Sequence, residues 1–256
     1  MIFYFSATGN SKWLAQKIAQ RIGDETIDIE TIGDVDAYSH DMKSGEVLGF
    51  VFPVYFCAMP DIVEQFIQKL KVKTGDQYYA FVAVTCGNSF GTTIRSFRRA
   101  MLRQGLTVSA SFELRTIDTF LPFFQIPDGD ARQKAIDDSS IQADMICRQI
   151  ADRSIGEYER KTSFQAAQSI ALGVMYKLMR HTAYLHVSDA CTGCGTCAKH
   201  CPLHAIEIDP ETQKPKWIRD KCMMCLRCVH HCPKSAIDYS GFTKGKLRYR
   251  ATWDEV

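Results

Sequence analysis

The sequence predicts an α/β fold, a doubly wound parallel sheet of five strands, followed by a small α+β module. Short apolar runs alternate with helical periodicities through residues 1–153. The runs at 47–52 and 80–84 are apolar throughout, as in strands covered by helices on both faces. Eight of the eleven cysteines fall between Cys191 and Cys232, so a chemically distinct unit follows the sheet. The expected division is a sheet domain over 1–153, a helical linker over 154–186, a cysteine-rich module over 187–240 and a tail over 241–256.

Residues 2–5 form a first short strand. Asn10 or Ser11 then caps a helix that turns Leu14, Ala15, Ile18 and Ile22 inward. After the strand at 47–52, residues 61–70 carry Ile62, Phe66, Ile67 and Leu70 at helical spacing. The strand at 80–84 leads to a helix over 93–103 with Ile94, Phe97 and Met101 inward, then a strand within 106–114. A long helix over 130–153 repeats Ile136, Ala143, Ile146 and Ile150. In the linker, Phe164, Ala167, Ala171, Met175 and Leu178 form a stripe that reads as a helix packing on a domain, with a partner or second-copy contact as the sharper alternative. The tail, with Lys244, Lys246, Arg248 and Arg250, reads as a solvated extension.

The chain has 256 residues, with 31 Lys+Arg against 29 Asp+Glu and a net charge of +2. That balance excludes a strongly basic nucleic-acid reader, and no nucleic-acid partner is expected. The N-terminus lacks a basic segment and a cleavage site, and no run of 18 uncharged apolar residues exists. Lys177 and Arg180 oppose membrane insertion of the linker helix. A cytoplasmic protein is expected, in which clustered cysteines are metal ligands rather than disulfides.

Cys191, Cys194, Cys197, Cys201 and Pro202 recur 31 residues later as Cys222, Cys225, Cys228, Cys232 and Pro233. In a doubled C-x2-C-x2-C-x3-C-P, the first three cysteines wrap one cubane and the fourth reaches the other. The expected ligands of one [4Fe–4S] cluster are therefore Cys191, Cys194, Cys197 and Cys232, and of the second Cys222, Cys225, Cys228 and Cys201. Structural zinc uses two separated pairs and suits this spacing poorly. Gly193 and Gly195 let backbone amides approach the sulfurs of the first loop; the second has Met223-Met224 and Leu226-Arg227 instead, which gives its cluster a different local environment. His200, His204, His230 and His231 flank the clusters and read as surface histidines, with tuning of the clusters as the alternative.

Ser6-Ala7-Thr8-Gly9-Asn10-Ser11 joins the first strand to the first helix, where amides and hydroxyls can surround a phosphate. It is neither a Walker loop nor a G-x-G-x-x-G turn. Two more loops follow strands of the same sheet, Pro53-Val54-Tyr55-Phe56-Cys57-Ala58-Met59-Pro60 and Thr85-Cys86-Gly87-Asn88-Ser89-Phe90-Gly91. Ligands of open α/β sheets bind at such strand ends. One loop of hydroxyls, one of aromatic residues and one with glycines suit flavin mononucleotide (FMN).

The F-S-A-T-G-N-S segment makes residues 1–153 resemble a flavodoxin domain, and C-T-G-C-G-T-C-A-K-H-C-P resembles the bacterial two-cluster ferredoxins. Together they resemble the flavodoxin–ferredoxin fusions of anaerobes, the EFR1-type ferredoxin family, over nearly the whole chain. The resemblance implies FMN phosphate on Ser6, Thr8, Gly9, Asn10 and Ser11. It puts Tyr55 and Phe56 against the flavin ring, with Thr85, Cys86, Gly87 and Asn88 on its pyrimidine side. Pro53, Val54, Cys57, Phe90 and Gly91 complete the expected cofactor-binding set. Cys57 and Cys86 read as small buried fillers, and residues 119–124 as a hydrophobic cover for the ring or a substrate.

The function expected is electron transfer between two [4Fe–4S] clusters and FMN, coupling one-electron protein donors to one- or two-electron acceptors. A redox protein is the expected partner, and a homodimer is a further expectation, in which a neighbour's flavin would lie within reach of a cluster. The alternative is an FMN-dependent reductase of a quinone or conjugated small molecule, favoured by a pocket of Tyr55, Phe56, Phe90 and Phe123 over the ring. A redox-sensing module is a third class.

Cys57 and Ala58 stand where flavodoxins often place glycine beside the flavin, and positive φ is costlier without glycine. The half-reduced neutral flavin is therefore expected to be less stabilised here than in flavodoxins. Stepwise anaerobic reduction followed by absorbance checks this; a strong long-wavelength band at half reduction would contradict it.

Overall fold

The computed structural model describes residues 1–32, 38–75, 77–160 and 164–251. In chain order the first part runs β1 (Ile2–Tyr4), α1 (Asn10–Ile22), β2 (Thr26–Asp28), β3 (Tyr38–Asp41), β4 (Val47–Pro53), α2 (Asp61–Lys69), β5 (Leu70–Lys73), β6 (Tyr79–Cys86), α3 (Thr93–Arg103), β7 (Ala110–Arg115), α4 (Gly129–Ala151) and β8 (Gly156–Tyr158). One parallel sheet has the order β2-β1-β4-β6-β7-β8, and β3 pairs with β5 apart from it. The first five strands follow the 2-1-3-4-5 order of doubly wound folds, with the switch point between β1 and β4.

Each face of the sheet is covered, which is why its central strands read as unbroken apolar runs. On one face Phe66 and Ile67 of α2 and Ile94 and Phe97 of α3 pack on Phe3, Phe50, Phe52 and Val82. On the other, Leu14 and Ile18 of α1 and Ile146 and Ile150 of α4 pack on Ile2, Val51, Phe81 and Phe112. Burying one such side chain contributes roughly 2–3 kcal/mol.

The sixth strand comes from residues expected in the linker. Tyr158 of β8 stacks on Phe112, with ring centroids 5.1 Å apart. The Arg160 amide donates to Glu113 Oε2. A three-residue strand carries too little periodicity to announce itself, so the sheet runs past residue 153.

Helix α5 (Gln165–Met179) follows. Its expected inner stripe is turned differently: Phe164, Ala167, Ala171 and Leu178 are exposed, and only Met175 of that set faces the protein. The packed face holds Ser169, Leu172, Met175, Tyr176 and Met179. Ser169 Oγ accepts from the Thr92 amide (3.0 Å), and this polar anchor sets the helix rotation that hydrophobicity alone misassigns.

The cysteine module contains β9 (Leu185–Val187), α6 (Thr196–Lys199), β10 (Ile206–Ile208), β11 (Pro215–Trp217), α7 (Arg227–His231) and β12 (Ile237–Tyr239). β9 pairs with β12 and β10 with β11, both antiparallel. The 31-residue repeat extends to the backbone. Gly193 and Gly195 have φ of 69° and 72°, and their counterparts Met224 and Leu226 have 55° and 54°. A left-handed L-residue costs about 1–2 kcal/mol. Met224 and Leu226 are both buried, which offsets that cost.

The module is packed against the first domain rather than tethered to it. Met223 sits in the core that holds Phe3 and Phe66. Met224, Leu226 and Val229 share a core with Ile117, Leu121 and Ile126. Arg227, also buried, donates from Nη2 to the Ser6 carbonyl (2.7 Å) and from Nη1 to Glu30 Oε2 (2.7 Å) and the His200 carbonyl (3.0 Å). Its guanidinium pairs a second time with Glu30 through Oε1. A second tie runs from Arg180, which bonds Asp61 Oδ2 (2.7 Å) and the Cys222 carbonyl (3.0 Å).

The tail is not a solvated extension as far as residue 251; residues 252–256 lie outside the described residues. Lys246 donates to the Leu121 carbonyl, Arg248 to that of Ile237 and Arg250 to that of His231. Lys246, Arg248 and Arg250, whose charge suggested solvation, instead satisfy backbone acceptors, and Lys244 is exposed. Tyr249 is 1% exposed, and its amide donates to His230 Nδ1 (3.1 Å). His230 is thus a buried connector and not a surface histidine. With Nδ1 accepting, Nε2 carries the proton and donates to the Thr119 carbonyl (2.9 Å). Burial pushes its pKa down to about 4, which keeps this neutral form.

Glu30→Gln leaves the Arg227 charge half-paired and should cost about 2 kcal/mol of stability, read as a lower Tm and faster proteolysis between the two domains. His230→Leu removes both hydrogen bonds of this connector, from the Tyr249 amide and to the Thr119 carbonyl. It should raise amide exchange at Tyr249 about tenfold, a lost hydrogen bond of about 1.4 kcal/mol; unchanged exchange would mean that apolar packing alone holds the tail.

Candidate functional site

A cavity of about 250 Å³ lies at the carboxyl ends of β1, β4, β6 and β7. Its walls come from every loop that the strand order brings to the switch point. The β1–α1 turn supplies Ser6, Ala7, Thr8, Asn10 and Ser11. The loop after β4 supplies residues 53–57, and the loop after β6 residues 85–89.

At the first turn, Gly9 is the helix cap with φ 105°, and no side chain caps α1. Asn10 and Ser11, the expected caps, are the first helical residues and point elsewhere. Asn10 Nδ2 donates to Thr116 Oγ1 (3.2 Å), and Asn10 Oδ1 accepts from the Tyr249 hydroxyl (2.7 Å). Ser11 and Thr85 hydroxyls meet at 2.7 Å. The Ala251 amide donates to the Thr8 carbonyl (2.7 Å), and a Cβ on Gly9 would meet the Ala251 Cβ at 2.6 Å. The tail therefore lies across the outside of the loop and fixes its shape. The first turn of α1 has no acidic side chain, so the helix N-terminus, the hydroxyls and the amides suit an anion.

Tyr55 to Ala58 form a tight turn with reciprocal backbone bonds of 3.0 and 2.9 Å. Its central residues, Phe56 and Cys57, have φ of 50° and 59°, a geometry that normally selects glycine or asparagine. The surroundings impose it: the Cys57 carbonyl accepts from the Thr92 amide (3.3 Å) and the Ser169 hydroxyl (3.5 Å). The Phe56 ring is held between Phe120 and Tyr176, with centroids at 4.9 and 5.0 Å. Strain of this kind persists only where neighbours over-determine it. Cys57 and Cys86 are both buried, and burial pushes both thiols up, which keeps them protonated.

On the far side, Gly87 leaves room for Asp118, whose carboxyl would collide with any Cβ there. Burial raises the Asp118 pKa, partly opposed by the Phe120 amide that donates to Oδ1 (2.9 Å). Phe90 and Gly91 do not reach the cavity. Phe90 belongs to the core beneath the loop, and Gly91 packs against Cys57 and Ser169. The expected aromatic pocket thus keeps Tyr55, Phe56 and Phe123 and exchanges Phe90 for Phe120 and Phe124.

The walls that sequence reasoning missed come from outside the three loops. Thr116, Ile117 and Asp118 follow β7, just ahead of Thr119 and Phe120 of the expected cover; Gln168, Leu172 and Met175 come from α5, and Met224, Cys225 and Leu226 come from the cysteine module. Only the helical register of α5 and the mismatch of Met224 and Leu226 with the glycines of the first repeat hinted at them.

The cysteines assemble in two sets. Cys191, Cys194, Cys197 and Cys232 line one small cavity together with Pro233. Burial pushes the Cys228 thiol well above its ordinary pKa, and the neighbouring thiols of Cys225, Cys222 and Cys201, then of Cys197 in the other set, push it further up. Thr196 Oγ1 lies 3.3 Å from Cys194 Sγ, and its hydrogen bond lowers the pKa of that exposed thiol. The Ala205 and Ala236 amides, equivalent in the repeat, approach Cys201 Sγ and Cys232 Sγ at 3.3 and 3.2 Å. Among the described residues, no three His, Cys, Asp or Glu side chains close around a single metal ion. Thiols gathered in two sets, with amides aimed at their sulfurs, fit clusters. The oxyanion-suited turn, the aromatic turn and the buried polar wall fit FMN.

Residues 1–114 match the family model of the flavodoxin domain, and residues 183–233 match that of the 4Fe-4S dicluster domain. Among solved structures, a Streptococcus pneumonia TIGR4 flavodoxin is 12% identical, over 57% of this chain and 97% of that one, with a TM-score of 0.33. The Trp repressor binding protein from Bacillus subtilis is 15% identical, over 55% of this chain and 95% of its own, with a TM-score of 0.30. No curated protein matches the chain. No described helix is long and apolar enough to cross a membrane. The chain thus carries a flavodoxin domain followed by a 4Fe-4S dicluster domain, which implies FMN in the first, iron–sulfur in the second and electron transfer in general.

Proposed function

We propose that this chain is an electron carrier that joins FMN to two [4Fe–4S] clusters within one polypeptide, and that it exchanges single electrons with a redox protein. The observation that supports the reading is Cys225, a cysteine of the second repeat, in the wall of the cavity at the flavodoxin switch point. When bound, FMN supplies one- and two-electron chemistry and each [4Fe–4S] cluster one-electron chemistry.

In this reading Ser6, Thr8, Gly9, Asn10 and Ser11 hold the phosphate, with Asn10 oriented by Thr116 and Tyr249. Residues 53–57 and 85–88 frame the ring. Cys191, Cys194, Cys197 and Cys232 hold one cluster, and Cys222, Cys225, Cys228 and Cys201 the other. Leu172, Met175, Met224 and Leu226 exclude water from the space between. Arg227 and Arg180 keep the cluster loop at a constant distance from the phosphate turn and from α2. The domains are the flavodoxin-like part with β8 added, the α5 connection, the two-cluster module and the tail. Membership in the EFR1-type fusions accords with that order. A second copy is not needed to bring a cluster to the cavity, because the chain's own Cys225 is there.

A second reading, reduction of a quinone or conjugated small molecule, has the wall of Phe120, Phe123 and Phe124 in its favour, with Phe123 and Phe124 exposed.

Anaerobic reductive titration, followed by absorbance and EPR together, tests the carrier. Uptake of about four electrons per chain is expected, two at flavin and one at each cubane. Uptake of about two without flavin absorbance would overturn the reading, and steady turnover of an added quinone would favour the reductase.

A further inference from the structure

The Tyr55 side chain has two unlike ends. Its ring forms part of the cavity wall. Its hydroxyl oxygen is shut away from solvent and has no hydrogen-bond partner. A buried hydroxyl without a partner costs about 1–3 kcal/mol, so a native protein rarely leaves one idle. A phenol is protonated at neutral pH, so the hydroxyl is available as a donor.

The groups around the hydroxyl decide what it can donate to. Cys225 shares the cavity wall and the core with Tyr55, and Arg227 lies over Phe5, the ring that Tyr55 meets edge-on. Arg227 is itself a donor. Glu30 already engages Arg227 through both carboxylate oxygens. The Tyr176 ring lies against Phe56 and under the Arg180 guanidinium, 4.7 Å away. No protein sulfur, nitrogen or oxygen meets the hydroxyl, so the inorganic sulfide of the cluster that Cys225 would hold is the acceptor that is left.

We propose that Tyr55 donates a hydrogen bond to the cluster held by Cys222, Cys225, Cys228 and Cys201 while its ring forms the flavin side of the same wall, so that one side chain links the two redox sites and raises the potential of that cluster. This rests on the two-cluster reading above. Reduction adds negative charge to a cluster, and a donor to its sulfur stabilises the reduced form more than the oxidised form. Tyr55 is a positioning residue, not a ligand. Its place is secured from both sides: its backbone is in the strained turn with Ala58, and its ring meets Phe5 edge-on at 6.4 Å.

The test uses the anaerobically purified full chain with iron, sulfide and FMN assayed, and compares wild type with Tyr55→Phe and Tyr176→Phe. EPR-monitored potentiometry should show one cluster midpoint moving negative in Tyr55→Phe, with the other cluster unmoved and both in place in Tyr176→Phe. In the wild type, ENDOR of the reduced cluster should show an exchangeable proton coupling that D₂O removes and Tyr55→Phe lacks. If Tyr55→Phe does not fold, 3-fluorotyrosine incorporated in the Tyr176→Phe background keeps the test decisive: a fluorine ENDOR coupling to the reduced cluster is expected, and its absence would overturn the proposal. Unchanged midpoints and an unchanged coupling in fully loaded Tyr55→Phe would overturn the proposal, as would a shift of the flavin couple alone. A wild-type chain that binds only one cluster would instead overturn the reading on which the proposal stands, and iron content reports that separately.

Discussion

Arg227 is the interaction on which the arrangement of the two domains depends. It follows the left-handed Leu226 in the second cysteine loop and reaches the Ser6 and Ala7 carbonyls of the phosphate turn. Its charge is neutralised by Glu30, and its guanidinium lies over the Phe5 ring, 5.6 Å from the centroid. A buried guanidinium must have its donors satisfied in fixed directions. One side chain therefore sets the orientation of the cysteine loop against the turn that begins α1. Apolar contacts of Met223, Met224 and Leu226 supply area, but they do not prescribe direction.

Four of the nine left-handed non-glycine residues among the described residues lie on the two walls that this contact brings together. Phe56 and Cys57 take left-handed angles on the flavodoxin side, and Met224 and Leu226 do so on the cysteine side. In each case large or buried side chains occupy positions where glycine would be conformationally cheaper. Phe56 is held by Phe120 and Tyr176, and Leu226 by the shared core. The packing of these side chains offsets the cost of the angles, and the walls are stiffer than glycine loops would be. The tail has the same effect at the phosphate turn, where Tyr249 and Ala251 close on Asn10, Thr8 and Gly9.

Local pattern and tertiary arrangement part at particular residues. The alternation of 47–52, 61–70 and 80–84 was legible because burial on both faces of a sheet leaves an unmistakable apolar run. The cysteine spacing was legible because cluster ligation is a local constraint repeated twice. His230, Arg227 and Tyr249 were not legible. A histidine, an arginine and a tyrosine in polar surroundings look solvated until the acceptors they meet are known, and here those acceptors lie about 110 to 240 residues away in the chain. The face of α5 was misread for a related reason: Ser169, not an apolar residue, anchors it.

Sequence alone thus determined what is periodic or closely spaced: the covered parallel strands, the hydroxyl-rich turn at the start of α1 and the doubled cysteine motif. Each is written within a few tens of residues, because secondary structure and cluster loops are short-range objects. Tertiary structure decided what joins them: the added strand β8, the loss of Phe90 and Gly91 from the cavity, the tail folded over the phosphate turn and Cys225 in the cavity wall. Those features depend on buried polar groups finding partners across the chain, and that requirement leaves no local pattern to read.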